Sequence, residues 1–488
     1  MSEARRLHPI AVLFNLLGSV REAIIGFLGI GFFSLKEGLW LFISFALIFL
    51  VFTIIISFLS WFRYTYRVEE GELRIEYGIL IRKKRYISKN RIQSIDLSAG
   101  VIHRLFNLVS VQIETAGSGA DADASLEAIK RSEGEWLRDV LKQPDDPENI
   151  STADEAEAMA VTAGPSEKIS FKRLFLAGST SGSIGVIFGF AAYIVSQIEQ
   201  FLPASFFDRF FTSAVGWAVG TSVLLLIGLV LFCLLILWLV GIAGTMIKYG
   251  NFTITRNGDE LFISRGLLEK KQLTIPLGRI QAVGIRESIL RQPLGYATVY
   301  AEIAGGSLDK SEDFSTVLFP IMKRDEIRPF LEKLLPDYKL VTTYTLSSLP
   351  RRACVFYVWR AVWPFLLAMF AVWYFFPPFA WIPLIPLIAS ALFGFLRYKD
   401  AGIYVNAHQL VIRTRGFSRN TVILYHKRIQ AFEKKQHKLQ KIIRLATVKL
   451  SIIGVLGIGT HYQLKDLVEN DANNLGNWYS YRDRWGSL

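Results

Sequence analysis

The sequence predicts an α+β membrane protein made of three copies of one unit, each a two-helix membrane hairpin followed by a small antiparallel β-domain. Three observations carry that reading. An Arg-Ile-Gln triplet recurs at Arg91-Ile92-Gln93, Arg279-Ile280-Gln281 and Arg428-Ile429-Gln430, at intervals of 188 and 149 residues. Eighteen residues past each Arg stands a strand start: Val109-Ser110-Val111, Ala297-Thr298-Val299 and Ala446-Thr447-Val448. A turn glycine (Gly78, Gly266, Gly416) precedes each Arg by 13, 13 and 12 residues, with Arg63-Tyr64, Lys248-Tyr249 and Arg397-Tyr398 upstream of it. Spacing kept between copies marks an internal repeat, which has to be recognised before any local motif is read.

The helical part follows from hydropathy. Over 488 residues the chain is 51% apolar and only 20% charged, which is too oily for a soluble protein of this size. Apolar runs near the roughly 20 residues that cross a bilayer come in pairs: 24–35 with 39–59, 175–198 with 215–242, and 355–376 with 379–396. The first run is short and follows Arg21-Glu22. It spans by extending back through 10–17 with Arg21 snorkelling, or it lies in the interface. About six transmembrane helices in three hairpins result. The expected boundaries are hairpin 10–62, β-domain 63–142, hairpin 169–246, β-domain 247–338, hairpin 350–396 and β-domain 397–470.

Lys and Arg placement sets the orientation. The loops inside the hairpins hold Lys36 and Arg209, whereas the segments between hairpins are dense in both residues, so the β-domains are expected in the cytoplasm. Residues 119–166 carry 12 acidic and four basic side chains inside a chain of net +13. Much of that stretch, 143–168, reads as a disordered acidic linker.

The β-domains show strand alternation. Leu73, Ile75 and Tyr77 share one face and Arg74 and Glu76 the other, a pattern repeated at 260–265 and 409–414. Asn257-Gly258 is a two-residue hairpin signal, with weaker counterparts at Glu70-Gly71 and Ala407-His408. Closing helices are expected at 133–142, 324–335 and 464–470. Several strands and one helix in under about 90 residues suggest a small barrel or sandwich with a helical cap.

These residues carry a resemblance. Arg6-Leu7-His8-Pro9, the paired spans, the Gly-Ile or Gly-Leu turn, Arg-Ile-Gln and the Ala-Thr-Val strand resemble the bacterial pleckstrin-homology-like (PH-like) domain of the DUF304 type. Three such domains behind helix pairs resemble the YdbT-like membrane proteins. The resemblance implies a seven-stranded PH-like barrel with a C-terminal helix in each copy, a multi-pass bacterial plasma membrane location, and a smaller single-domain PH-like membrane protein as partner. The third copy departs from the pattern, with Ile443-Arg444-Leu445 where the second has Leu294-Gly295-Tyr296. A different partner surface is expected there.

No catalytic set stands out. The six histidines show no metal-ligand spacing, Cys233 and Cys354 form no framework, and neither a phosphate loop nor a nucleophile elbow is present. No enzyme and no cofactor are therefore expected. His426 and His437 read as solvated surface residues, and nothing resembles a nucleic-acid recognition helix.

Basic clusters are the better candidates. Arg82, Lys83, Lys84 and Arg85 form the first, Lys270 and Lys271 the second, and Arg415 with Lys427 the third. Each basic residue near an anionic inner leaflet gains on the order of 1 kcal/mol, so headgroup contact and ordinary topology-setting charge stand side by side. Arg91, Arg279 and Arg428 are expected to bond a carbonyl or carboxylate of their own barrel, with an anionic ligand as the second reading. Gly178, Gly182, Gly185 and Gly189 share one helix face for helix packing, or for contact in a homo-oligomer.

The function expected is a non-enzymatic membrane scaffold whose β-domains contact proteins or anionic lipids, in envelope integrity or defence against membrane-active compounds. The alternative is a lipid- or peptide-handling protein gated by those domains. The spans lack the deep ionisable residues that a coupled transporter would need.

Overall fold

The computed structural model describes residues 4–19, 39–69, 71–115, 124–142, 164–180, 223–304, 315–338, 346–375, 377, 381–454 and 459–480. The first repeat has four strands in one sheet, β1 (Arg5–Arg6), β2 (Thr65–Glu69), β3 (Glu72–Tyr77) and β4 (Lys83–Ser88). A second group of three follows, β5 (Ile92–Ala99), β6 (Leu108–Thr115) and β7 (Ala124–Lys130), closed by the helix Arg131–Lys142.

The second repeat repeats this order. Its strands are β8 (Ser166–Lys168), β9 (Thr253–Asn257), β10 (Glu260–Arg265), β11 (Lys270–Pro276), β12 (Ile280–Glu287), β13 (Tyr296–Ile303) and β14 (Thr316–Lys323), before the helix Arg324–Leu334. In the third they are β15 (Ser347–Ser348), β16 (Gly402–Val405), β17 (Gln409–Arg415), β18 (Arg419–Tyr425), β19 (Ile429–Lys435), β20 (Leu445–Ile453) and β21 (Gly459–Val468), before Glu469–Ser480. Each unit thus has seven strands, four and then three, and a C-terminal helix.

Four expectations change. The helices do not precede the β-domain; they interrupt it. Each first strand (β1, β8, β15) stands before the helical segment and pairs antiparallel with the strand after it (β2, β9, β16). Residues 166–168, read as part of the acidic linker, are therefore a strand. The third closing helix also starts at Glu469 rather than 464, because Leu464 and Leu467 are inward positions of β21. Ala472, Leu475 and Trp478 of that helix complete the core. The third domain thus extends past residue 470.

The second hairpin turn is shifted by one residue. Asn257 pairs with Glu260, so Gly258 and Asp259 make the turn, and Gly258 has φ +55°. The turns at Gly78 (φ +109°) and Gly266 (φ +104°) need glycine for a second reason. A Cβ there would lie 2.1 Å from Ile81 O and 1.9 Å from Glu269 O. Gly416, in the shorter third turn, is free of both constraints.

The fourth change is the largest. Among the described residues, no repeat closes into a barrel by itself. In the first, β4 does not pair with β5; β5 pairs instead with β11 of the second repeat. Likewise β12 pairs with β18 of the third. Two seven-stranded sheets therefore cross repeat boundaries, in the orders β7-β6-β5-β11-β10-β9-β8 and β14-β13-β12-β18-β17-β16-β15. Side chains still pack within repeats: Leu73, Ile75 and Ile87 of the first four strands share one core with Ile95, Val111 and Ile113 of the next three. Each repeat has its own core, and at the second junction the cores also cross: Val411 and Ile423 pack into that of the second repeat and Ala282 into that of the third.

The helical segments are apolar and outward-facing. Leu39–Arg63 exposes Trp40, Leu47 and Ile48. Among the described residues one helix, Arg351–Phe375, is long and apolar enough to cross a membrane, at mean hydropathy 1.7. The first apolar run and the glycines Gly182, Gly185 and Gly189 lie outside the described residues. Gly178 lies inside them. Its helix, Phe171–Ser179, packs so closely on Val223–Tyr249 that a Cβ would come 2.9 Å from Ile242 Cα.

Candidate functional site

The surfaces with specific chemistry are the strand junctions. Both use one register. Lys270, nine residues before Arg279, stands opposite Ala99, eight residues after Arg91. Arg419, nine before Arg428, stands opposite Glu287, eight after Arg279. The first junction adds a side-chain bond, Thr274 N–H to Asp96 Oδ1 at 3.1 Å, and the Arg104 guanidinium donates to Leu267 O at 2.7 Å. The second is longer, with six residue pairs.

The arginines of Arg-Ile-Gln serve these junctions. Arg279 donates from Nε to Ala304 O of its own repeat at 3.0 Å, and its Nη1 lies 3.5 Å from Glu114 Oε2 of the first repeat. Glu114 is buried and also accepts from Ser94 Oγ at 2.8 Å. Arg428 of the third repeat acts on the buried Tyr338 of the second, opposing the burial that raises that phenol, while the Tyr338 hydroxyl donates to Ile280 O at 2.8 Å. Arg91, in the first repeat, is exposed. The sequence reading confined these contacts to one barrel, whereas Arg279 and Arg428 also reach back into the repeat before.

The position of Glu114 recurs as Glu302 in the second repeat and as Ser451 in the third. Burial pushes the Glu302 carboxyl up to about 7, while Tyr462 of the third repeat and Arg286 act to lower it.

The basic clusters divide. In the first, Arg82 donates to Glu76 at 2.6 Å, Lys84 lies 3.6 Å from the same carboxylate, Lys83 sits over the Tyr77 ring, and all four residues including Arg85 are exposed. Lys271 lies 3.8 Å from Glu269, and Lys270 lines a cleft at the first junction. Lys427 is exposed. Arg415 is not a surface residue: its side chain is 7% exposed and ion-paired with Asp400, which also accepts from Arg419 at 2.7 Å. This side chain cannot face a lipid headgroup.

The tips of the β3–β4 turn and its counterparts were missed by the charge-based search. Leu80 and Ile81, Leu267 and Leu268, and Phe417 are exposed there, beside the ends of apolar helices. Leu267 N–H bonds Ile247 O at 3.0 Å, and Phe417 packs on Phe393. The signal was available as apolar residues directly after each turn glycine.

A further set was also missed. His103, Arg291 and Gln440 occupy one position in the three repeats. His103 stacks on Phe14 at 4.0 Å. Arg291 donates to Thr180 Oγ1 at 2.9 Å and Ala177 O at 3.1 Å, capping the carbonyl end of Phe171–Ser179, and burial lowers its guanidinium to about 10. Gln440 bonds Asp466 at 2.6 Å, and Asp466 is ion-paired with Arg360 of the helix Arg351–Phe375. His103 and Arg291 thus contact a helical segment directly, whereas Gln440 does so through Asp466. Arg360, inside the apolar run 355–376, is thus neutralised by a buried carboxylate.

His426 is not solvated either. It is buried against Trp478, with Nε2 at 3.1 Å from the Trp478 carbonyl. His437 caps a short helix, accepting from Leu439 N–H at 3.2 Å.

Seven antiparallel strands, grouped four and three, with a C-terminal helix and an inserted helical segment, three times in tandem, define a protein of repeated PH-like domains. Residues 13–145, 212–337 and 353–483 match the bacterial PH domain, and the chain belongs to that family. It is 35% identical over 498 aligned residues to the UPF0699 transmembrane protein YdbT of Bacillus subtilis (strain 168), with 99% of each chain covered.

Proposed function

We propose that this protein is a non-enzymatic, multi-pass membrane scaffold with its three PH-like domains on the cytoplasmic side. The observation that carries this is the way the sheets and helices are combined. Edge-to-edge pairing joins three domains into one β platform, and each domain is interrupted by apolar helices between its first and second strands. Such a platform is held at a fixed height and orientation over the membrane. The relative's designation as a transmembrane protein supports the same placement.

Lipid contact falls on the turn tips. Leu80-Ile81 with Arg82, and Leu267-Leu268 with Lys270, combine apolar insertion with positive charge, the pairing that favours an anionic interface. The platform serves envelope integrity or defence against membrane-active compounds by holding partner proteins there.

Single cysteines test the placement. Labels at Gly38, Ser205 and Pro378 should react with an impermeant maleimide from outside, and a label at Gly119 only after permeabilisation. The reverse pattern would exclude the cytoplasmic platform. A bimane label at Leu80, in the full chain reconstituted into anionic bilayers, should be quenched by shallow spin-labelled lipids. An unquenched label would exclude lipid contact by that tip.

A further inference from the structure

We propose that the cleft at the first junction holds a phosphate-type oxyanion, which does there the work of a carboxylate that the second junction carries in its own sequence. The site stands on the geometry of the two junctions and is independent of the membrane placement argued above.

The second junction is neutralised from within. Glu287 is buried, pairs with Arg324 and lies 3.4 Å from Arg419, while Asp400 accepts from Arg419 at 2.7 Å. The first junction keeps the cations and lacks both acids. Lys270 stands where Arg419 stands, by the shared strand register. Arg131 stands where Arg324 stands: its N–H bonds Asn107 O at 3.1 Å, as that of Arg324 bonds Gly295 O at 2.9 Å. The residue opposite Lys270, however, is Ala99 and not a glutamate. Asn251, two residues before β9, takes the place that Asp400 holds two residues before β16.

At this point the surface opens into a cleft of about 150 Å³, whose lining includes Arg104, Arg131, Lys270, Asn107, Gln272 and Glu135. Such a polar cleft has room for a small oxyanion and ordered water. Arg131 uses one donor on Glu135 at 3.0 Å, and Arg104 one on Leu267 O at 2.7 Å. A guanidinium has five donors, so both keep others for a ligand. Lys270 has no ion-pair partner among the described residues. Its neighbour Lys271, 3.8 Å from Glu269, points to the opposite face of β11. Glu135 is the one carboxylate among the described lining residues, against three cations. Two guanidinium forks and an ammonium suit a tetrahedral oxyanion, and they come from both repeats, so the bound anion ties one to the other.

The test uses the full chain in a neutral detergent free of phosphate. Its thermal midpoint is followed against added sodium phosphate, with sodium chloride of equal ionic strength as reference. Phosphate should raise the midpoint by several degrees. Lys270→Gln should weaken the apparent affinity about tenfold, the loss of one charge-assisted hydrogen bond. Ala99→Glu, which installs the missing carboxylate, should raise the midpoint without phosphate and abolish the response. Lys441→Gln, an exposed cation of the third repeat, should leave the response intact. A second arm places the full chain in phosphatidylcholine discs with and without phosphatidic acid. A rise with dissolved phosphate assigns a free oxyanion, and a rise confined to phosphatidic acid and lost in Ala99→Glu assigns a lipid headgroup. No rise in either arm, or a rise that survives both Lys270→Gln and Ala99→Glu, would overturn the site.

Discussion

Arg279 and Glu114 face each other across the boundary between the first two repeats, 165 residues apart in sequence and 3.5 Å apart in space. Both side chains are largely buried. Removing one member of such a pair leaves the other charge without its counterion, which typically costs about 3–5 kcal/mol. Arg279→Ala should therefore lower the thermal midpoint in detergent more than Glu114→Gln, because Ser94 and Arg279 can still hydrogen-bond the amide. Equal losses would mean that the pair does not couple the repeats.

Asp400 holds two arginines at the second junction, Arg415 and Arg419, and the Arg415 side chain is almost wholly buried. Asp400→Asn should cost roughly 3 kcal/mol. Differential scanning fluorimetry should register it as a fall of several degrees. A shift within one degree would show that Glu287 alone neutralises the site.

Glu302 makes stability depend on pH. Its carboxyl is raised to about 7 in the folded protein, against an ordinary value of 4.5. The folded state therefore binds this proton more tightly than the unfolded chain. That contribution is fully present below about pH 4.5 and is lost as pH rises through 7. Glu302→Gln should raise the midpoint at pH 8 and reduce its change between pH 5.5 and 8. An unchanged slope would refute the assignment.

Arg444 carries backbone strain. It has φ +52° at the position where the second repeat has Gly295 at φ +71° and the first has Asn107 at φ +54°. An ordinary side chain in that region costs on the order of 1 kcal/mol. Arg444→Gly should raise stability by about that amount, as measured by chemical denaturation in detergent. A loss would mean that the Arg side chain makes contacts worth more than the strain.

Gly178 lets two helices touch. A Cβ there meets the Ile242 backbone at 2.9 Å, so Gly178→Leu should cost roughly 2–3 kcal/mol or push the helices apart. An unaltered midpoint would show that the contact is loose.

The repeat was legible because Arg-Ile-Gln and its spacing survive in every copy, and β3 and β10 lie where alternation placed them. The first strands were not legible. Arg5–Arg6, Ser166–Lys168 and Ser347–Ser348 are two or three residues long, too short for any period to show. Their partners also lie beyond an entire helical segment. The junctions were hidden for another reason. Strands β5 and β12 read as ordinary interior strands, and nothing local says which edge they meet. Arg415 and His426 misled because composition alone cannot distinguish a charge held in an internal pair from one in water.

Edge-to-edge pairing also has a consequence for synthesis. When the ribosome has completed β5, the strand that will cover it, β11, lies about 170 residues downstream, past a whole helical segment. At about 5–20 residues per second that is a wait of roughly 10 to 35 seconds. Throughout it the nascent first domain presents bare backbone donors and acceptors at the membrane surface. Maturation must therefore run from the amino terminus, each domain shielding the one before it as it emerges, and a stall within the second helical segment would leave the first domain exposed to any other chain with a free strand.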